Sequence, residues 1–284
     1  QVVGDGGGVV ELVGLDQHHL QLGGGTDVDH LVAAALFFND IGIGVSNIPL
    51  IRMLVSFGAK VWAHDKREKE QLGEIYNEFL ALGVSFVLGE DYLKKIPEDI
   101  EYIFKTPGIR YDIPEILERI ENGAKLSSEM DLFFDLCPAP IIAVTGSDGK
   151  TTTTTLISEL LKKEGYPCHL GGNIGMPLVD KTEEMKETDK VVLELSSFQL
   201  HTIKKSPKIA VITNVTPNHL DWHTDLTEYE TAKKNIFLNQ DNDGITILNY
   251  DNEVTRNFAK ETKNHIFFSR KHNLDNGICL IENN

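Results

Sequence analysis

The hexapeptide Gly146-Ser147-Asp148-Gly149-Lys150-Thr151 stands between the apolar run Ile141-Ile142-Ala143-Val144 and a Thr-rich stretch of helical character. A buried strand, a glycine-bearing turn and a helix start in that order specify an α/β layer with a phosphate-binding turn at its edge. The glycines let backbone N–H groups close around phosphate oxygens, Lys150 supplies a cation, and Thr151 offers a hydroxyl for Mg²⁺. The turn is shorter than the general template, because Val144 stands where an additional leading Gly would be.

A chain of 284 residues has room for about two domains. Its 41% hydrophobic and 25% charged content is that of a folded globular protein. A net charge of −16 argues against nucleic acid as a partner, which asks for a basic footprint. It leaves small anions open, since a nest of N–H groups with one lysine binds phosphate on an acidic protein. No apolar run is long enough for membrane insertion and no basic segment precedes a cleavable one, so a cytoplasmic protein is expected. Cys137, Cys168 and Cys279 have no metal-ligand spacing and are expected to be buried, reduced thiols.

Residues 1–36 differ from the rest: they are rich in glycine, and no Lys or Arg precedes Arg52. This segment is expected to be flexible, with His18, His19 and His30 as solvated loop residues. From Phe37 an apolar run leads to Gly42-Ile43-Gly44, a helix is expected over 47–57, and a strand over 60–64 ends at Asp65. The turn lacks the third glycine of a dinucleotide fingerprint, Asn47 standing in its place. A diphosphate at that helix start, with Asp65 facing a ribose or base, is one reading; Asp65 as a helix cap is the other. Helices over 69–82 and 114–122 and strands near 84–88 and 102–105 complete a Rossmann-like domain over 37–138. Cys137-Pro138-Ala139-Pro140 reads as a rigid boundary, because proline fixes φ and bars helix before it.

An α/β domain of the P-loop NTPase kind is expected over 139–284. Three apolar strands end in polar residues suited to phosphate chemistry: 141–145 at the Gly-Lys-Thr turn, 191–193 at Glu194, and 209–213 through Asn214 towards His219. Ligands of open parallel sheets gather outside the carboxyl ends of strands, so these features point to one place. Glu194 suits a Mg²⁺ that bridges ATP phosphates. His219 and His223 would share a face of a helix, but Pro217 precedes them, and His219 alone at the phosphate or Mg²⁺ site is the better reading. Thr227-Glu228-Tyr229-Glu230 reads as a capping box opening a helix with Lys233 and Lys234, by composition solvated charges.

Gly146-Ser147-Asp148-Gly149-Lys150-Thr151, Gly172-Asn173-Ile174-Gly175, Glu194-Leu195-Ser196-Ser197-Phe198-Gln199-Leu200, Asn214-Val215-Thr216-Pro217-Asn218-His219-Leu220-Asp221 and Tyr229-x-x-Ala232-Lys233 occur in this order. Together they resemble the Mur ligases, and the Ser-Ser-Phe-Gln form is most similar to the branch that adds D-glutamate to UDP-N-acetylmuramoyl-L-alanine. The resemblance covers about 41–252. It implies an ATP-dependent amide ligase of peptidoglycan precursor synthesis, acting through an acyl phosphate in the bacterial cytoplasm as a monomer, with UDP-N-acetylmuramoyl-L-alanine, D-glutamate and ATP as its partners.

It also implies roles. Lys150, His219 and Lys233 are the catalytic residues; Gly146, Ser147, Asp148, Gly149, Lys150, Thr151 and Thr152 take the ATP phosphates, with Asn249 and Asn252 near adenine. Thr151, Glu194, His219 and Lys233 hold Mg²⁺, Lys233 as a carbamate made with CO₂, which requires a neutral amine. Asn173, Ser196 and Gln199 touch the muramoyl substrate, Val45, Ser46 and Gly108 line the UDP pocket, and Asp65 and Lys66 lie near uracil.

Two departures matter. Asn39 and Asp40 interrupt the apolar first strand, putting the inner wall of the UDP pocket in question. The family continues into a third, C-terminal ligase domain, so this chain is expected to be incomplete and unable by itself to finish ligation. A non-catalytic UDP-sugar-binding remnant and another ligase of the Mur or folylpolyglutamate type are the alternatives.

Overall fold

The computed structural model describes residues 37–280, so the expectations for residues 1–36 and their three histidines lie outside the described residues. Twelve described strands form two parallel sheets. The first has order β3-β2-β1-β4-β5, built from β1 (Phe37–Ile41), β2 (Lys60–Asp65), β3 (Ser85–Leu88), β4 (Tyr102–Lys105) and β5 (Lys125–Ser127). The second has order β12-β11-β10-β9-β6-β8-β7. Its strands are β6 (Ile141–Thr145), β7 (Cys168–Gly172), β8 (Lys190–Glu194), β9 (Ile209–Ile212), β10 (Ile245–Asn249), β11 (His265–Ser269) and β12 (Gly277–Cys279). Parallel neighbours need crossovers, and helices supply them: α1 (Asn47–Ser56) after β1, α4 (Pro114–Glu121) between β4 and β5, α6 (Lys150–Lys163) between β6 and β7.

Burial on both sheet faces explains the near-continuous apolar strands. Ile41, Ile103 and Ile116 pack on one face of the first sheet; Leu50, Ile51, Val61, Ala63 and Phe79 fill the other. The second sheet buries Ala143, Val191, Leu193, Ala210 and Ile212. Helix α5 (Glu129–Leu136) serves both sheets, with Leu132 in the first core and Met130 and Phe133 in the second.

Several expectations need correction. The helix expected over 69–82 is two pieces, α2 (Lys69–Leu72) and α3 (Glu74–Ala81), because Gly73 adopts φ +60° and breaks the run. Strand β1 is continuous through Asn39 and Asp40 and lies at the centre of its sheet. Asp40 is fully buried and accepts a hydrogen bond from Asn47 Nδ2. Burial holds its carboxyl well above the usual range, which disfavours a charge within the strand. Asp65 is no helix cap; Glu68 caps α2. Helix α8 (Leu226–Leu238) starts two residues earlier than the Thr227 box suggests, with the Asp225 side chain accepting from the Glu228 N–H. The three cysteines are free but half-buried rather than buried.

Candidate functional site

The turn after β6 is fixed by the end of β9. Ser147 N–H donates to the Asn214 carbonyl (2.8 Å), Asp148 N–H donates to Asn214 Oδ1 (3.0 Å), and Asp148 O accepts from Thr213 Oγ1 (2.7 Å). The Ser147 hydroxyl lies 2.9 Å from both Thr216 O and the Tyr229 hydroxyl, tying the turn to α8. A Cβ on Gly146 would come within 1.9 Å of Thr213 Oγ1, so only glycine permits this docking. Gly149, at φ +79°, turns the chain into α6, whose free N–H groups then face the turn.

Three sequence-predicted residues meet beside it. Glu194, 2% exposed at the end of β8, accepts from Thr151 Oγ1 at 2.7 Å and from Asn173 Nδ2 at 3.0 Å. Gly172 makes room for this at φ +90°, since a Cβ there would lie 2.1 Å from the Glu194 carbonyl oxygen. Thr152 is exposed in the first turn of α6.

Lys150 folds back, donating to Gly146 O (3.0 Å) and Ser147 O (2.9 Å). Lys233 approaches the same loop from beneath: 1% exposed, it donates to Gly146 O at 2.9 Å with its ammonium 4.7 Å from the Tyr229 ring centroid. Burial, helped by the charge of Lys150, pushes its amine down to about 7. The solvated-lysine reading from composition is therefore wrong, because α8 turns this position into the core.

His219 does not join this cluster through a hydrogen bond among the described residues. It is exposed at φ +54°, its ring 4.9 Å from that of Phe198. Nor does it share a helix face with His223, because Asn218–His223 is a turn segment. His223 is buried against Ser197 Oγ (3.0 Å), and burial pushes its imidazole down to about 4. Ser196 and Gln199 form the capping box of α7 (Ser197–Leu200), with Gln199 Oε1 accepting from Ser196 N and Oγ. Asn249 and Asn252 brace the segment after β9, Asn249 donating to Thr213 O and Asn252 to Val215 O.

In the first sheet the Gly42-Ile43-Gly44 turn opens between β1 and β4, where the strand order reverses, the place for a ligand in such a sheet. Val45 is exposed and Ser46 immediately precedes α1. Asp65 accepts from Ile43 N (2.8 Å) and from Arg67 N, Nε and Nη2. Burial alone would raise its pKa, but these hydrogen bonds outweigh it and hold the carboxyl below the usual range. Lys66 is solvated beside Glu90. Gly108 O accepts from Trp222 Nε1 at 2.9 Å, which joins the two sheets.

Sequence reasoning missed that joint. Arg110 binds Glu228 through Nη2 at 2.8 Å and donates to Trp222 O at 2.9 Å; Glu228 also lies 2.8 Å from His201 Nε2. The Arg110 contact holds the Glu228 carboxyl far below the usual range. A charged residue just after Pro107-Gly108 was the available signal, but its partner lies 118 positions away.

Residues 144–278 match the Mur ligase middle domain. The UDP-N-acetylmuramoylalanine–D-glutamate ligase of Ruminiclostridium cellulolyticum is 55% identical over 239 residues, 84% of this chain and 51% of the relative. The chain carries a Mur ligase middle domain. A ligase of the same name from Acetivibrio thermocellus is 54% identical over 241 residues, again 84% of this chain and 52% of the relative. The chain thus spans about half the length of the curated relatives it matches. Among solved structures, the UDP-N-acetylmuramate:L-alanyl-γ-D-glutamyl-meso-diaminopimelate ligase of Neisseria meningitides shares the fold, with TM-score 0.55 at 18% identity over 86% of this chain and 83% of that one. No helix among the described residues is long and apolar enough to cross a membrane.

Proposed function

We propose that this chain serves the ATP-dependent addition of D-glutamate to UDP-N-acetylmuramoyl-L-alanine in the bacterial cytoplasm, acting as a monomer. The unit over 37–138 binds the nucleotide sugar, and the unit over 139–284 binds ATP. The observation that carries this reading is the convergence of Lys150, Thr151 and Glu194 at the turn after β6, in a chain 55% identical to a ligase of that name.

The chemistry has two steps. The substrate carboxylate takes the γ-phosphoryl group of ATP, giving an acyl phosphate and ADP. The D-glutamate amine then attacks the acyl carbon, phosphate leaves, and the amine proton passes to solvent. Such phosphoryl transfer rests mainly on positioning and charge neutralisation. The N–H groups of the turn and Lys150 would orient the phosphates, Lys150 exchanging its carbonyl partners for phosphate oxygens.

Glu194 is a buried carboxylate whose hydrogen-bond partners, Thr151 and Asn173, are neutral, so it suits a hard cation. Thr151 and Glu194 would hold Mg²⁺, which offsets phosphate charge when bound. Lys233, with its depressed amine, suits carbamylation by CO₂, and His219 would reach the site from its exposed turn. Asn173, Ser196 and Gln199 would face the muramoyl end, Val45, Ser46 and Gly108 the UDP, Asp65 and Lys66 the uracil, and Asn249 and Asn252 the adenine.

Calorimetric titration of the folded chain with UDP-N-acetylmuramoyl-L-alanine, against UDP-N-acetylmuramic acid lacking alanine, tests the reading. Alanine-dependent binding is expected; no binding of either by a folded chain would overturn it.

A further inference from the structure

A pocket between the two sheets is lined by Ser46, Lys105 and Pro107 from the first, by Glu129 at the start of α5, and by Phe198 and Gln199 from α7. Its enclosed space is small, about 10 Å³, and opens to solvent, so a larger ligand would sit at its mouth. Lys105 is 1% exposed, yet no hydrogen bond or ion pair engages its ammonium among the described residues. The ammonium is not among the fully enclosed unpartnered atoms, so water in the pocket reaches it, and an anion entering there would take that water's place.

Position says what that anion is. Lys105 ends β4 in register with Ile41, the residue before the Gly42-Ile43-Gly44 turn. The next residue, Thr106, sits against that turn: a Cβ on Gly44 would lie 3.3 Å from its methyl group. The ammonium therefore stands at the strand-order reversal, level with the first turn of the ten-residue α1. We propose that Lys105 is the cation that receives the diphosphate of a nucleotide sugar at the mouth of this pocket. The proposal rests on the nucleotide-sugar reading above and adds to it a residue that no motif in the sequence marks.

The surrounding charges agree. Burial pushes the Lys105 amine down to about 8, against the opposing pull of Asp131 on α5, with Arg110 of the following loop lowering it further. Burial and the charge of Asp180 push Glu129 up to about 8. At neutral pH Glu129 is then largely a neutral donor in the pocket, not an anion competing for Lys105.

The test is calorimetry on the whole chain with UDP-N-acetylglucosamine, UDP-N-acetylmuramoyl-L-alanine and uridine, using parent, Lys105→Met and Lys105→Arg, each checked for fold by circular dichroism. Lys105→Met should weaken both UDP-sugars by the same factor, roughly 10- to 100-fold as for one charge-assisted hydrogen bond, and leave uridine unchanged. Parent affinity for UDP-N-acetylglucosamine should fall as pH rises through about 8, and Lys105→Arg should bind without that step. The pH comparison stands even where Lys105→Met fails to fold.

A loss confined to UDP-N-acetylmuramoyl-L-alanine would place the substrate carboxylate, not the diphosphate, on Lys105 and overturn the proposal. So would a folded Lys105→Met chain that binds both sugars like the parent, and here the nucleotide-sugar reading would survive. A folded parent that binds no UDP compound would remove that reading and the proposal together.

Discussion

Lys233 donates to the carbonyl oxygen of Gly146 across 2.9 Å, and Lys150 donates to the same oxygen at 3.0 Å. Two lysines on one carbonyl repel, and with burial this keeps the Lys233 amine near 7. A neutral amine beside a phosphate turn is open to CO₂.

With carbon-13-labelled CO₂ held at fixed concentration, a carbamate carbonyl resonance is expected that grows as pH rises through about 7 and is missing in Lys233→Met. A resonance indifferent to that substitution, or none at pH 8, would sink the modification.

Glu194→Gln keeps the size of the side chain and its contacts with Thr151 and Asn173 while removing its charge. Affinity for ATP in the presence of Mg²⁺ should fall by about tenfold or more, with little change in its absence. Equal losses in both conditions would show that Glu194 shapes the turn rather than holding the ion.

Gly172→Ala places a Cβ 2.1 Å from the Glu194 carbonyl oxygen at a φ of +90°. Urea unfolding should show a loss of about 3 kcal/mol or more, because backbone cannot retreat as a side chain can. An unchanged midpoint would mean that β7 and β8 separate without cost.

Arg110 and Glu228 join the loop after β4 to the first turn of α8. Their side chains are 22% and 20% exposed, so solvent screens the pair only in part. A double-mutant cycle with Arg110→Ala and Glu228→Gln should give a coupling of about 1–3 kcal/mol in unfolding free energy. Additive effects would reduce the pair to a surface contact.

Glu129 is held near 8 in the fold against an ordinary 4.5, so between these values the folded state binds the extra proton. Its contribution to stability is complete below about 4.5 and is lost as pH rises through about 8. Unfolding of the parent minus that of Glu129→Gln should therefore decline from pH 5 to pH 8. A flat difference would show that Glu129 ionises normally.

The phosphate turn, the order of strands and helices, and the Thr151–Glu194 pairing were legible because each rests on local pattern. An apolar strand ending at Gly-Lys-Thr and another ending at Glu194 must bring these residues together once the strands are parallel neighbours, as β6 and β8 are. Asp40 was misjudged because hydropathy alone reads an acid in a strand as a break. Only the fold supplies Asn47 as its partner and the burial that raises its pKa.

The sequence by itself determined an α/β chain with two nucleotide-type turns and the polar residues at their strand ends, since hydrophobic period and glycine placement act over a few neighbouring residues. Tertiary structure alone decided which lysines are solvated and which are not. Lys105 and Lys233 lose most of their water through residues distant in the chain, and Lys234, beside Lys233 on α8, keeps an exposed bond to Glu261. Desolvation is a property of everything packed around a group, so no spacing in the sequence records it.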